Sequence, residues 1–204
     1  MKEKTYLFTI LLIVVAFSES LAQVGIMLGP NYSSVRHNNL LENQSGKLNF
    51  NYGVYVAFNP FPSTPEISFK TDLMVFTKGY SQHLSGEKFN LNLTYLSFAP
   101  MVRYELDEGF HIHSGLELNS LVGSNVNEGL QTYQKSERAI FLGMDLFSNN
   151  FISMYIRASF GLSPLLDYYD IDPIDGIQGR LRDIYSTTFL IGIHLNIYNE
   201  KIRF

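Results

Sequence analysis

Between residues 66 and 80 the chain alternates apolar and polar positions with a period of two. Ile67, Phe69, Leu73 and Val75 fall on one side of an extended ribbon, and Ser68, Lys70, Asp72 and Lys78 on the other. Successive side chains of a strand point to opposite faces, so this ribbon has one apolar and one charged face. The same alternation predicts strands over residues 24–36, 49–59, 110–123, 138–147, 151–162 and 185–198. Residues 151–162, for example, set Ile152, Met154, Ile156, Ala158 and Phe160 against Ser153, Tyr155, Arg157, Ser159 and Gly161. Residues 89–106 alternate in two phases. Phe89, Leu91, Leu93 and Tyr95 share one face, then Leu96, Phe98, Pro100, Val102 and Tyr104 take over. A β-bulge at Tyr95-Leu96 would keep every apolar residue on one face, and Pro100 removes a ladder donor.

The eight segments predict an antiparallel all-β barrel of up-and-down order. Connections 60–65, 107–109 and 148–150 are short, whereas 37–48, 124–135 and 167–184 are long and polar; 85–88 is a short exception. With an even strand count, both termini belong at the end carrying the short turns. A barrel in the outer membrane has this form, with short periplasmic turns and longer external loops.

The N-terminus bears on the compartment. Lys2 and Lys4 precede an apolar run over residues 6–17, and Ser20-Leu21-Ala22 places small residues at −3 and −1 of a cleavage site before Gln23. This is the pattern of a secretory signal peptide over residues 1–22, leaving residues 23–204 as one barrel domain. The mature chain has no apolar run long enough for a membrane helix. It has no cysteine, which excludes disulfides, thiolate metal sites and a lipidated Cys. Thirteen Tyr and sixteen Phe suit strands and aromatic girdles, while a net charge of −4 with no basic cluster gives no reason to expect a nucleic-acid partner.

Alternation alone fits two barrels. A soluble one turns its apolar face inward; a membrane one turns it toward lipid and keeps charge in the lumen. The polar face carries Lys70, Asp72, Lys78, Arg103, Glu105, His111, His113, Glu117, Asp145, Arg157 and His194, of mixed sign. The apolar face runs along nearly all eight strands without the polar breaks of a ligand cavity, and several segments match a tilted bilayer crossing. This favours the transmembrane barrel. Its eight-stranded interior is just wide enough for side chains, so lumen charges are expected to pair with one another, leaving no open pore.

Two stretches, F-K-T-D-L-M-V-F-T-K-G-Y (residues 69–80) and L-N-L-T-Y-L-S-F-A-P-M-V-R-Y (residues 91–104), resemble the PorT-like outer-membrane β-barrel family of Bacteroidetes. In that family a strand ending in K-G-Y is followed by a Y-L-x-x-P strand. G-I-M-L-G-P-N-Y-S (residues 25–33) is similar to its glycine-rich first strand. Ser97 and Phe98 stand where an acidic-apolar pair is common. The resemblance implies a small outer-membrane barrel, in a family whose named member assists protein secretion and gliding, and it carries no catalytic residue.

Three places invite a test for chemistry. His113-Ser114 with Glu117 suggests a hydrolase, but adjacent strand residues point to opposite faces, and a nucleophile must reach its base. The segment 167–184 holds Asp167, Asp170, Asp172 and Asp175, a density that could attract Ca²⁺. Pro173 and the lack of a closing Glu break the EF-hand pattern, and Arg180 and Arg182 are nearer partners, so a solvated loop is expected there. Phe204 ends the chain on an aromatic residue, as outer-membrane barrels do. No catalytic, cofactor or metal site is therefore expected. The sequence points to a non-enzymatic outer-membrane barrel that contacts lipid and meets a protein partner through its external loops, as a secretion accessory or surface interaction protein. The alternatives are a lipid-modifying outer-membrane enzyme and a soluble periplasmic barrel binding an apolar ligand.

Overall fold

Runs of alternating Val, Ile, Leu, Phe and Tyr cannot bury one face as isolated ribbons, and closure into a cylinder pairs every strand edge. The computed structural model describes residues 21–36, 44–61, 63–84, 87–125, 134–165, 168–172, 176–181 and 184–199. The apolar leader over 6–17, Asp167, Asp175, Arg182 and Phe204 lie outside these. Eight long strands are present: β1 (Leu21–Arg36), β2 (Gln44–Phe58), β3 (Ile67–Leu84), β4 (Glu87–Asp107), β5 (Phe110–Ser124), β6 (Ser136–Leu146), β7 (Ile152–Gly161) and β10 (Tyr185–Asn199). They close antiparallel in the order β1-β10-β7-β6-β5-β4-β3-β2. Between β7 and β10 lies a separate hairpin, β8 (Tyr168–Asp172) paired with β9 (Gly176–Leu181). The segment expected to be a solvated loop thus carries strand structure of its own, with Ile171 opposite Ile177 in the register.

Gln23 pairs with Asn199 and Leu21 with Phe58, so β1 begins and β10 ends where the short turns lie, as expected. The β4–β5 turn uses Gly109 at φ +74°, which glycine adopts without a Cβ penalty. In the β6–β7 turn Phe147 takes φ +59°, a conformation that costs a non-glycine residue about 1–2 kcal/mol. The kink faces Phe147 outward and Ser148 inward. There the Ser148 carbonyl accepts bonds from Gln23 Nε2 (3.4 Å) and Asn196 Nδ2 (3.1 Å), fastening both ends of the chain.

The bulge expected at Tyr95-Leu96 is absent from β4. The β3–β4 ladder runs without a register shift from Ile67↔Tyr104 to Leu84↔Glu87. Leu91, Leu93 and Tyr95 therefore face inward with Met74, Phe76 and Tyr80, all buried, while Leu96 and Phe98 face out. The assumption that every apolar residue lies on the outer face fails here: strand parity sets the side, and the lumen near the long connections is partly apolar. A shift does occur in the β4–β5 ladder, between Thr94 and Tyr95, but the extra residue is Val122 of β5. Pro100 leaves a local gap, since pairing to β5 lapses at Ala99 and Pro100 and resumes at Met101↔Gly115.

Candidate functional site

The two faces of the cylinder are inverted relative to a soluble protein. Outward, large apolar side chains are exposed on every barrel strand, among them Leu73, Phe98, Leu116, Leu142, Ile156 and Ile191. Soluble monomers rarely expose contiguous apolar patches beyond a few hundred Å². Aromatic residues gather toward the short-turn end (Tyr104, Phe147, Phe151, Tyr198) and toward the other (Tyr32, Phe50, Phe160, Phe189).

Inward, the described lumen buries four cations, Lys70, Lys78, Arg103 and Arg157, and four anions, Asp72, Glu117, Glu137 and Asp145. They form one chain of alternating sign. Arg103 Nε lies 3.7 Å from Asp145, whose Oδ2 is 3.3 Å from Lys70 Nζ. Lys70 reaches Asp72 at 3.8 Å, and Asp72 accepts a hydrogen bond from Arg157 Nη2. Arg157 Nη1 lies 3.9 Å from Glu117, Glu117 lies 3.9 Å from Lys78, and Lys78 ends the chain on Glu137 at 2.9 Å. Moving an ion from water into such an interior costs several kcal/mol, and the cost is offset only where partners of opposite charge and hydrogen bonds are close. Equal numbers and alternating order supply the opposite charges.

Neutral groups complete the packing. Ser159 Oγ donates to Glu117 (2.9 Å) and Asn119 Nδ2 to Glu137 (3.4 Å). The His194 ring stacks on Tyr155 with centroids 4.6 Å apart, lies 4.7 Å from that of Tyr55, and its Nε2 accepts from Lys70 Nζ at 3.2 Å. These rings fit because their neighbours lack side chains. A Cβ on Gly25 would come within 2.6 Å of the Tyr55 ring, and one on Gly192 within 2.6 Å of Tyr155. Arg157 lies 4.2 Å over the Phe141 ring, a cation–π contact that holds the guanidinium in mid-lumen.

Every charged residue assigned to the polar face points inward, Glu105 being half-buried near the short turns. Glu137, one residue before the predicted strand 138–147, joins them. Its parity with Ala139, Gly143 and Asp145 was the signal that could have found it. His113 lies in the lumen, 3.6 Å from Asp145 through Nδ1, whereas Ser114 is on the outer face and donates to the Phe141 carbonyl at 3.0 Å. The barrel wall separates the two. At the short-turn end His111 Nδ1 is 3.1 Å from Ser148 Oγ, and its Nε2 lies 4.0 Å from Glu105. Ser148 is 3% exposed, so this trio braces turns rather than meeting solvent. Asp170 and Asp172 fall on β8. Among the described residues no three His, Cys, Asp or Glu side chains converge as metal ligands.

No protein-family model and no curated protein matches the chain. Two solved structures are similar in outline. Neisserial surface protein A (NspA) is 8% identical, over 85% of this chain and 97% of that one, with a TM-score of 0.47. The outer membrane protein OprG from Pseudomonas aeruginosa is 9% identical, over 88% of this chain and 97% of that one, also with a TM-score of 0.47.

Proposed function

We propose that this chain is a non-enzymatic outer-membrane barrel with a plugged lumen, which presents the connections opposite its short turns to the exterior. The inverted packing carries the reading: an apolar belt on every strand around a neutral chain of eight ions is the arrangement lipid requires and water penalises. A lumen filled by paired ions supports a scaffold more than a conduit. Separation of His113 from Ser114 by the wall removes the support for a lipid-modifying enzyme. Cleavage after Ala22 would leave Gln23 first, with its bond from Arg103 Nη1 (2.9 Å) intact.

The PorT-like motifs on β1, β3 and β4 support a role as accessory to protein secretion, or as a surface interaction protein. Boiling tests the barrel. A membrane barrel in detergent migrates faster before heating than after, and stays in a carbonate-washed membrane pellet. Extraction into the soluble fraction would sink the reading. For the role, replacing residues 125–134 with Gly-Ser should impair secretion of extracellular proteins by the producing cell while preserving the heat-modifiable band. Normal secretion from a deletion strain would remove the accessory role.

A further inference from the structure

Outside the lumen, the described charged side chains are sorted by end. Glu66, Asp107 and Glu108 sit at the short-turn end, and Arg36, Lys135 and Arg138 at the opposite one. Two of these cations stand on one wall. Parity turns Arg36 of β1 and Arg138 of β6 outward, and both are exposed. The Arg36 guanidinium lies 5.7 Å over the outward ring of Phe160 and donates through Nη2 to the Gly161 carbonyl at 3.2 Å, reaching across β10 to the end of β7. From the other side, the Arg138 carbonyl accepts the N–H of Leu162 at 2.7 Å. The two arginines thus flank the last residues of β7, just above the apolar belt.

Below them the same wall is grooved. Pro30 has no N–H, and β1–β10 pairing lapses between Leu28↔Ile193 and Asn31↔Leu190. A depression of about 180 Å³ opens there, lined by Pro30, Tyr32, Ile156, Phe189 and Ile191 among others. Arg36 stands four residues above Tyr32 on β1, about 13 Å along the strand. An apolar groove below Arg36, on the wall that Arg138 shares, matches an acyl chain that ends in an anionic headgroup. Arginine's planar fork binds phosphate oxygens bidentately, which favours a phosphomonoester.

We infer that the outer wall of β1, β10, β7 and β6 seats a phosphorylated lipid of the outer leaflet, with Arg36 and Arg138 on its phosphate and the Pro30 groove under an acyl chain. The inference rests on the membrane orientation proposed above, with the long connections outside. It is tested on the full-length protein by native mass spectrometry after reconstitution in phosphatidylethanolamine nanodiscs doped with lipid A. Wild type should retain one lipid A. Retention should fall about 25-fold in R36Q/R138Q, since each cation near an anionic lipid surface contributes about a factor of five. It should hold in E66Q/E108Q, which alters charge at the other end. Lipid A stripped of its phosphates should not be retained by wild type, an arm that needs no variant to fold. Equal retention of the stripped lipid, unchanged retention in R36Q/R138Q, or a dimer seated on this wall in place of lipid overturns the inference and leaves the membrane barrel standing. Failure of wild type to insert into any nanodisc overturns both.

Discussion

The two halves of the β3–β4 hairpin fill the lumen in opposite ways. Toward the short turns its inward residues include Lys70, Asp72 and Arg103, members of the ion chain, beside Ala99 and Met101. Toward the long connections they are Phe76, Tyr80, Leu91, Leu93 and Tyr95, a packed apolar cluster. The ladder between the halves has no register shift, so the same parity delivers ions at one end and hydrocarbon at the other. Lys78 marks the boundary: its Nζ sits 4.9 Å from the Phe76 ring centroid and 2.9 Å from Glu137. Which side of the wall a residue occupies is therefore a matter of backbone geometry, while its polarity answers to whatever stands across the lumen. Opposite Lys70 stand Asp145 and His194; opposite Lys78 stand Glu117 and Glu137.

The largest break in this comparison should come from Asp145, which neighbours Lys70, Arg103 and His113 at once. Asp145→Ala leaves two buried cations short of a counter-ion, and loss of one partner in a buried pair typically costs about 3–5 kcal/mol. Urea titration of the protein folded in lipid vesicles should show the midpoint fall accordingly. A shift below about 1 kcal/mol would mean that water reaches and solvates this end of the lumen.

The apolar half should respond through packing instead. Leu93 is fully buried between the hairpin and the far wall, and Leu93→Ala should cost about 2–5 kcal/mol by removing methylenes from a filled space. Raising the salt concentration tests the distinction between the halves. The Leu93→Ala deficit should be insensitive to salt, since no charge is involved. Salt dependence there would show that the apolar cluster is coupled to Lys78.

Much of the barrel could be read from the chain. The eight strands, the alternation within seven of them, the end at which the termini lie and the inward charges other than Glu137 all follow from period-two patterning, because parity is geometric. Residues 89–106 misled for a physical reason. The two apolar phases at Tyr95-Leu96 call for a bulge only if the lumen is polar throughout, whereas it changes character along the axis. The pairing of the ions was expected as a general cost argument. Their order, from Arg103 to Glu137, depends on strand stagger, which no local pattern encodes. The β8–β9 hairpin has no clear period-two signal because Asp and Gly dominate its segment.

The smallest effect sharpens the comparison most. Lys78 and Glu137 end the ion chain beside the apolar cluster, so replacing both with methionine extends the hydrocarbon half by one pair. Lys78→Met alone strands Glu137 beside Glu117 and should cost about 3–5 kcal/mol. In the double variant Glu117 keeps Ser159 at 2.9 Å and Arg157 at 3.9 Å, so no anion is left alone. Buried pairs replaced by apolar residues of similar volume are often neutral or stabilising. The double variant should therefore lie within about 1 kcal/mol of wild type, which makes the two substitutions strongly coupled, by about 2 kcal/mol or more. Denaturation midpoints of the four proteins in the cycle measure this directly. Additive losses would mean that each end residue contributes through packing with its own neighbours, and that the boundary at Lys78 is not electrostatic.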